Sequence, residues 1–178
     1  DKTNKLVLSI KGDYEKFMQG LSSNTLDADK NAFLDKFGRI VVTFYQFCNH
    51  EFWIAIEPQY YNKMMGHLEK YLKISKVAIE KSNLIAYYDL EHNRLIITDN
   101  KLGSVSEEEF NKWRLENNIP IQGKDYDREM VLNVSEGFVS FSKGCYLGQE
   151  IVAKVKYKGR APKKLVVKDG KFVFVGNE

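Results

Sequence analysis

Cysteine is scarce in this chain of 178 residues, which contains only Cys48 and Cys145. Two cysteines cannot build a disulfide framework or a four-cysteine zinc site within one chain. Small secreted domains that rely on several disulfides are therefore excluded as a class. The cysteine usage predicts a reducing compartment.

Long apolar runs are also missing. No segment approaches the roughly 18 consecutive apolar residues that a membrane span requires. The polar start of the sequence, residues 1–4, lacks the apolar centre of a signal peptide. We expect a protein without a membrane partner and with cytoplasmic localisation.

Net charge is low, since 27 basic and 24 acidic residues give +3. This balance does not predict direct nucleic-acid binding. The distribution is uneven, because residues 143–178 contain nine lysines and arginines against three acids, or +6. The basic segment is either a surface for an anionic partner or a solvated, lysine-rich pair of strands.

Apolar residues make up 43% of the chain, enough to bury a core and form one domain or one domain with a fragment. Alternating runs predict strands, and apolar residues at helical spacing predict helices. A Ser106–Glu109 capping box marks one helix start. Because regular βαβ alternation is absent, we predict an α+β fold with antiparallel sheets. The predicted strands are 6–10, 32–37, 40–47, 52–56, Val77–Lys81, 84–90, Arg94–Thr98, 164–167 and 172–175, and the predicted helices are Tyr14–Leu21, 58–73 and 106–117.

The most unusual stretch is residues 142–154, in which two glycines frame Cys145 and an aromatic residue ahead of a helical run. Glycines allow a tight turn or a close approach to a ligand. A thiol near Lys143 and just before a helix N-terminus favours its thiolate form. Cys145 is therefore either a reactive thiol or a free cysteine that fills the core.

Residues 143–150, KGCYLGQE, resemble the signature of the YgfZ family of folate-binding proteins, relatives of the aminomethyltransferase (T protein) of the glycine cleavage system. The resemblance extends over most of the chain. It also includes Ile10-Lys11-Gly12-Asp13, Phe17-Met18-Gln19-Gly20, Asn24, Phe37-Gly38-Arg39-Ile40, and Gly123 with Asp125.

The resemblance implies a T-protein/YgfZ-like folate-binding fold over residues 1–156. Residues 157–178 would then form a β-hairpin, the start of a truncated or minimal C-terminal β-barrel. The implied function is a folate-binding accessory role in the assembly or repair of iron–sulfur clusters in target enzymes, including tRNA-modifying ones. The implied cofactor is tetrahydrofolate or a derivative. The implied partners are a reduced folate and iron–sulfur enzymes or cluster carriers.

Under this resemblance Cys145 is the functional thiol and a transient cluster contact, with no other metal ligand expected. For every other candidate a plain structural role stays open, such as packing for Tyr146, a surface turn for Arg39, or capping for Asn24, Gln149 and Glu150. The candidate cofactor-binding residues are Asn24, Arg39, Lys143, Tyr146, Gln149 and Glu150.

The chain departs from the aminomethyltransferase pattern after the turn at Gly38. Those enzymes carry paired aspartates there, one of them catalytic, whereas this sequence has Val41 and Val42. A valine can neither orient an amine nor stabilise positive charge on a folate nitrogen. The alternative function, a folate-dependent one-carbon (aminomethyl) transferase, is therefore disfavoured, and an enzyme activity is not expected.

Overall fold

A computed structural model describes residues 1–177 and confirms the α+β class with antiparallel sheets. The described strands are β1 Leu6–Gly12, β2 Lys30–Leu34, β3 Ile40–Asn49, β4 Glu51–Ile56, β5 Val77–Lys81, β6 Ile85–Asp89, β7 Arg94–Thr98, β8 Lys163–Lys168 and β9 Lys171–Gly176. The described helices are α1 Tyr14–Leu21, α2 Tyr61–Lys73, α3 Glu107–Glu116, the short α4 Val131–Val134 and α5 Gln149–Tyr157, with 3₁₀ turns at Pro58–Tyr60 and Glu136–Phe138.

A five-stranded antiparallel sheet in the order β2-β3-β4-β1-β5 forms the centre of the fold. Strands β2, β3 and β4 form an antiparallel meander, because β2 pairs with β3 and β3 with β4. The first strand lies between β4 and β5, so its backbone is hydrogen-bonded on both sides. Two further hairpins, β6-β7 and β8-β9, form separate two-stranded sheets.

The turn between β2 and β3 begins earlier than predicted. The strand predicted at 32–37 spans Lys30–Leu34, so β2 starts two residues earlier and ends three residues earlier than predicted. The Asp35 carboxylate accepts hydrogen bonds from the backbone N–H groups of Phe37 and Arg39. These bonds offer the backbone an alternative to the strand ladder, which is why the strand ends there.

Helices α1 and α2 cover one face of the sheet. Strand residues such as Leu8, Phe44 and Ile54 pack there with Met18, Met64 and Leu68. Pro58 opens the predicted helical region as a 3₁₀ turn, and the α-helix starts at Tyr61. Alternation along β1 and β4 places the neighbouring side chains on the opposite face.

The opposite face is covered in two parts. The β6-β7 hairpin and α3 pack over β1 and β4, and the predicted capping box of Ser106 and Glu109 is present at the start of α3. Helices α4 and α5 with the β8-β9 hairpin pack over β2, where Leu165 and Phe172 share a core with Val152. The predicted terminal hairpin is therefore confirmed, and it is joined to the main fold by this core. The boundary at residue 156 stays a prediction.

No helix among residues 1–177 is both long enough and apolar enough to cross a membrane.

Candidate functional site

The 143–150 segment is tied to the rest of the fold at its second glycine. Gly148 has φ of 88°, and a Cβ added there would lie 2.5 Å from the carbonyl oxygen of Asp35. Gly38, with φ of 71°, approaches the same place from the β2-β3 turn, since its Cβ would lie 3.6 Å from the carbonyl oxygen of Gly148. The two glycines allow the turn and the start of α5 to touch.

Lys143 fixes the other end of the segment. Its Nζ donates to the carbonyl oxygens of Ser22, at 2.7 Å, and Asn24, at 3.1 Å, in the loop after α1. The same ammonium group lies 5.3 Å from the centre of the Tyr146 ring. Burial lowers the pKa of Lys143 to about 8. Its donors are thus engaged by this protein's own backbone and aromatic ring.

Asn24 holds its own loop together. Its side-chain amide donates to the carbonyl oxygens of Lys30, at 2.9 Å, and Gly137, at 3.1 Å. Its Oδ1 accepts from the N–H of Thr25 at 2.9 Å. These contacts agree with the capping alternative and leave little of this side chain for a ligand.

Tyr146 and Gln149 complete the inner side of the segment. Tyr146 is only 7% exposed and packs in the core beneath α5, and burial raises its pKa to about 12. The Gln149 side chain donates to the carbonyl oxygen of Lys143 at 3.4 Å. Packing was the structural role left open for Tyr146, whereas the Gln149 side chain bonds the motif loop and does not cap the helix start.

Cys145 differs from its neighbours because its side chain is exposed. The flanking backbone is held on both sides, through the Lys143 contacts and through the Leu147 N–H, which donates to the carbonyl oxygen of Gly20 at 3.0 Å. The helix predicted after the motif begins four residues later, at Gln149. The segment therefore presents a free thiol on a fixed loop.

Glu150 and Arg39 lie on the outside. The Glu150 carboxylate pairs with Lys154 at 2.6 Å across one turn of α5, and that hydrogen bond lowers its pKa. Glu150 therefore does not cap the helix start, contrary to the capping expectation. The Arg39 side chain is exposed, and its backbone forms a bridge with Met130. We call residues 143–148 the thiol loop. The structure brings together Asn24, Lys143, Tyr146 and Gln149 around this loop and leaves Arg39 and Glu150 at the surface.

A separate cavity of about 40 Å³ lies on the sheet between the two covering layers. The Tyr45 ring forms one wall and is flanked by two ammonium groups, Lys5 at 5.5 Å and Lys30 at 5.6 Å from its centre. Burial lowers the pKa of Lys30 and raises that of Tyr45 to about 12. An aromatic face and two cations are thus held at one place, and one of the cations, Lys5, is paired with Glu57.

Buried polar groups line the deeper side of this cavity. The hydroxyls of Thr43 and Tyr126 lie 2.7 Å apart, and the side-chain Oε1 of Gln122 accepts from the Thr43 N–H at 2.8 Å. Val41 and Val42 are buried in the core beneath α1 and α2. None of the described residues lining the cavity is acidic.

Two open clefts adjoin the cavity. One of about 690 Å³ shares Lys30 and Tyr45 with it, and one of about 750 Å³ shares Lys5 and Gln122. None of the seven candidate residues lines the cavity or either cleft. Sequence reasoning missed this site because Lys5, Lys30 and Tyr45 belong to no motif and meet only through strand register, in which Lys30 is paired with Tyr45.

No family model matches the chain. Within residues 1–177 there is no group of three or more His, Cys, Asp or Glu side chains arranged to hold a metal ion.

Proposed function

We propose that this protein is a folate-binding accessory factor that supports assembly or repair of iron–sulfur clusters in target enzymes, with Cys145 as the working thiol. The exposure of Cys145 on a loop fastened at both sides carries the proposal. A thiol that only fills space would be buried with Tyr146. A fixed, accessible thiol can meet a cluster, a persulfide or a partner thiol without reorganisation of its loop.

The ligand set of a cluster explains why the role is an accessory one. Iron–sulfur clusters are held by about four ligands. Residues 1–177 offer one exposed thiol at the motif and no group of three metal-binding side chains. A cluster at Cys145 would therefore be shared with a partner protein or with small thiols.

The cavity beside Tyr45, Lys5 and Lys30, which we call the Tyr45 site, supports the folate part of the proposal. Lys30 suits one carboxylate of a glutamate tail, whereas the Lys5 ammonium is already paired with Glu57 and forms part of the wall beside the Tyr45 ring. The adjoining cleft of about 690 Å³ falls in the range of roughly 300–1,000 Å³ that ligand pockets occupy. Folate would then bind beside Tyr45 instead of at the six candidate residues that the resemblance indicated.

The resemblance also leads us to propose the finer fold. Residues 1–156 would be a T-protein/YgfZ-like folate-binding domain, and the terminal hairpin the start of its C-terminal barrel. Methylene transfer is not part of the proposal. The reason is that the aminomethyltransferases use a catalytic aspartate. The cavity beside Tyr45 presents the Thr43 hydroxyl, and none of the described residues lining the cavity is acidic.

The test is rescue of an iron–sulfur enzyme activity in cells that lack the native protein. Cys145→Ser should fold as the wild type does and fail to restore that activity. The matched control is Cys48→Ser, which replaces the other exposed cysteine, at 3.9 Å from the Tyr14 hydroxyl, and should restore it. Full rescue by Cys145→Ser would refute the proposed role of this thiol.

A further inference from the structure

Three aromatic side chains stand exposed around α5. Phe37 is 54%, Phe141 43% and Tyr157 86% exposed. Aromatic residues are enriched in protein–protein interfaces, and clustered exposed apolar groups mark interaction sites. Their common neighbour is the helix that follows Cys145.

Helix geometry places two of them on opposite flanks of α5. The turn that carries Phe37 touches Ile151, since a Cβ added at Gly38 would lie 3.5 Å from the Ile151 Cβ. The Phe141 ring lies 4.7 Å from the Nζ of Lys156. Positions 151 and 156 are five residues apart, which corresponds to about 140° around a helix. Tyr157 is the last residue of α5 and lies between these two flanks on the outer side of the helix.

Cations dominate the surface between and around these rings. Lys36 lies 5.0 Å from the centre of the Phe37 ring, and Lys154 and Lys158 are exposed on α5 and at its end. Two carboxylates beside these lysines, Glu150 and Glu136, are already paired with Lys154 and Lys156. We call Phe37, Phe141, Lys154, Tyr157 and Lys158 the α5 surface.

We propose that the α5 surface docks an acidic partner protein and so brings that partner's cluster or thiol to Cys145. This inference rests on the proposed function and names the chemistry of its partner. Nine helical residues span about 13 Å. A partner seated on the outer face of α5 therefore reaches the thiol loop at its N-terminal end. The surplus of lysines complements an acidic surface, which gives steering and orientation.

The same contacts argue against RNA as the occupant. Proteins that bind single strands stack bases on free aromatic faces. Here the Phe37 and Phe141 rings each carry a lysine ammonium within 5.0 Å of their centres. The Glu150 and Glu136 carboxylates would also lie close to any phosphate bound there.

The test uses charge reversal on the full chain in the rescue assay. The variant is Lys154→Glu with Lys158→Glu, and the control is Lys70→Glu with Lys73→Glu on α2. Lys154 and Lys73 are matched, because each is exposed and pairs with a glutamate one turn earlier, at 2.6 and 2.8 Å. We expect the α5 variant to lose at least fivefold of the rescued activity and the control to stay within twofold of wild type.

The outcomes separate this inference from the proposed function. Failure of Cys145→Ser together with full rescue by the α5 variant would overturn the docking surface alone, whereas rescue by Cys145→Ser would overturn the proposed function. Phe141→Ala with Tyr157→Ala gives a second variant without charge change, and an unchanged unfolding midpoint shows that each variant is folded. If charge reversal abolishes tRNA binding at about 150 mM salt, the surface binds RNA instead. If charge reversal abolishes a dimer seen in sedimentation, the surface binds a second copy of this chain instead.

Discussion

The Nζ of Lys143 donates a hydrogen bond to the carbonyl oxygen of Ser22 at 2.7 Å, across 121 positions of the chain. This contact fastens the thiol loop to the loop after α1. Most of the polar groups in the 143–150 segment are occupied in this way by the protein itself. The segment presents the thiol of Cys145 outward, together with the Glu150 carboxylate, which is paired with Lys154.

Lys143 predicts a pH dependence of stability. Its folded pKa of about 8 lies below the unfolded value of 10.5. Between these values the unfolded chain holds the extra proton, so this group makes the free energy of unfolding rise with pH. In Lys143→Met that rise is absent. Urea unfolding from pH 7 to 10 should therefore show the wild type gaining stability relative to the variant above pH 8, and a constant difference would contradict the lowered pKa.

Gly148 predicts a steric effect at the junction of α5 and the β2-β3 turn. An alanine there would combine a φ of 88° with a Cβ at 2.5 Å from the Asp35 carbonyl oxygen. Gly170→Ala is the control, because it has φ of 73° and open space around it. We expect losses of at least about 2 kcal/mol for Gly148→Ala and about 1 kcal/mol for Gly170→Ala. Equal losses in denaturant unfolding would show that the close approach is unimportant.

The buried ion pair of Arg114 and Asp125 predicts a large loss when it is broken. Their side chains are 4% and 8% exposed, and Nη1 lies 2.7 Å from Oδ2. Asp125→Asn leaves the guanidinium without its counter-charge, at a cost of about 3–5 kcal/mol. Glu69→Gln, which breaks the exposed pair with Lys73, should cost far less, because solvent screens that pair. Unfolding by guanidinium chloride measures both, and a similar cost for the two would refute the difference in burial.

The sequence predicted the elements that local chemistry determines. The capping box at Ser106 and the helix predicted at 58–73 were confirmed because their signals lie within one turn of each other. The early end of β2 was missed, because the Asp35 side chain bonds the backbone of its own turn. The apolar run around that residue gave no sign of this competition.

The candidate site was less predictable. The motif located the thiol loop, but the contacts of Lys143 and Asn24 depend on loops that are far apart in sequence. Tyr45, Lys5 and Lys30 come from three strand regions, and only strand pairing and packing bring them together. No spacing rule connects these three positions.

The Tyr45 site predicts the effect of changing one of its cations. Lys30→Gln removes a charged partner for a folate carboxylate, and such bonds are worth about 1.5–3 kcal/mol. Affinity for tetrahydrofolate should fall by roughly tenfold or more, measured by calorimetry. Lys73→Gln on α2 serves as the control and should leave affinity unchanged. An equal affinity for wild type and Lys30→Gln would place folate elsewhere.

Binding of a reduced folate is the claim on which the ligand half of the proposed function depends, and a thermal-shift titration with tetrahydrofolate tests it most directly. A ligand that binds only the native state at 100 times its Kd stabilises it by about 2.7 kcal/mol. For a chain of 178 residues this corresponds to a rise in Tm of roughly 5–10 °C. The account predicts this rise, and an unchanged Tm at millimolar tetrahydrofolate would contradict it.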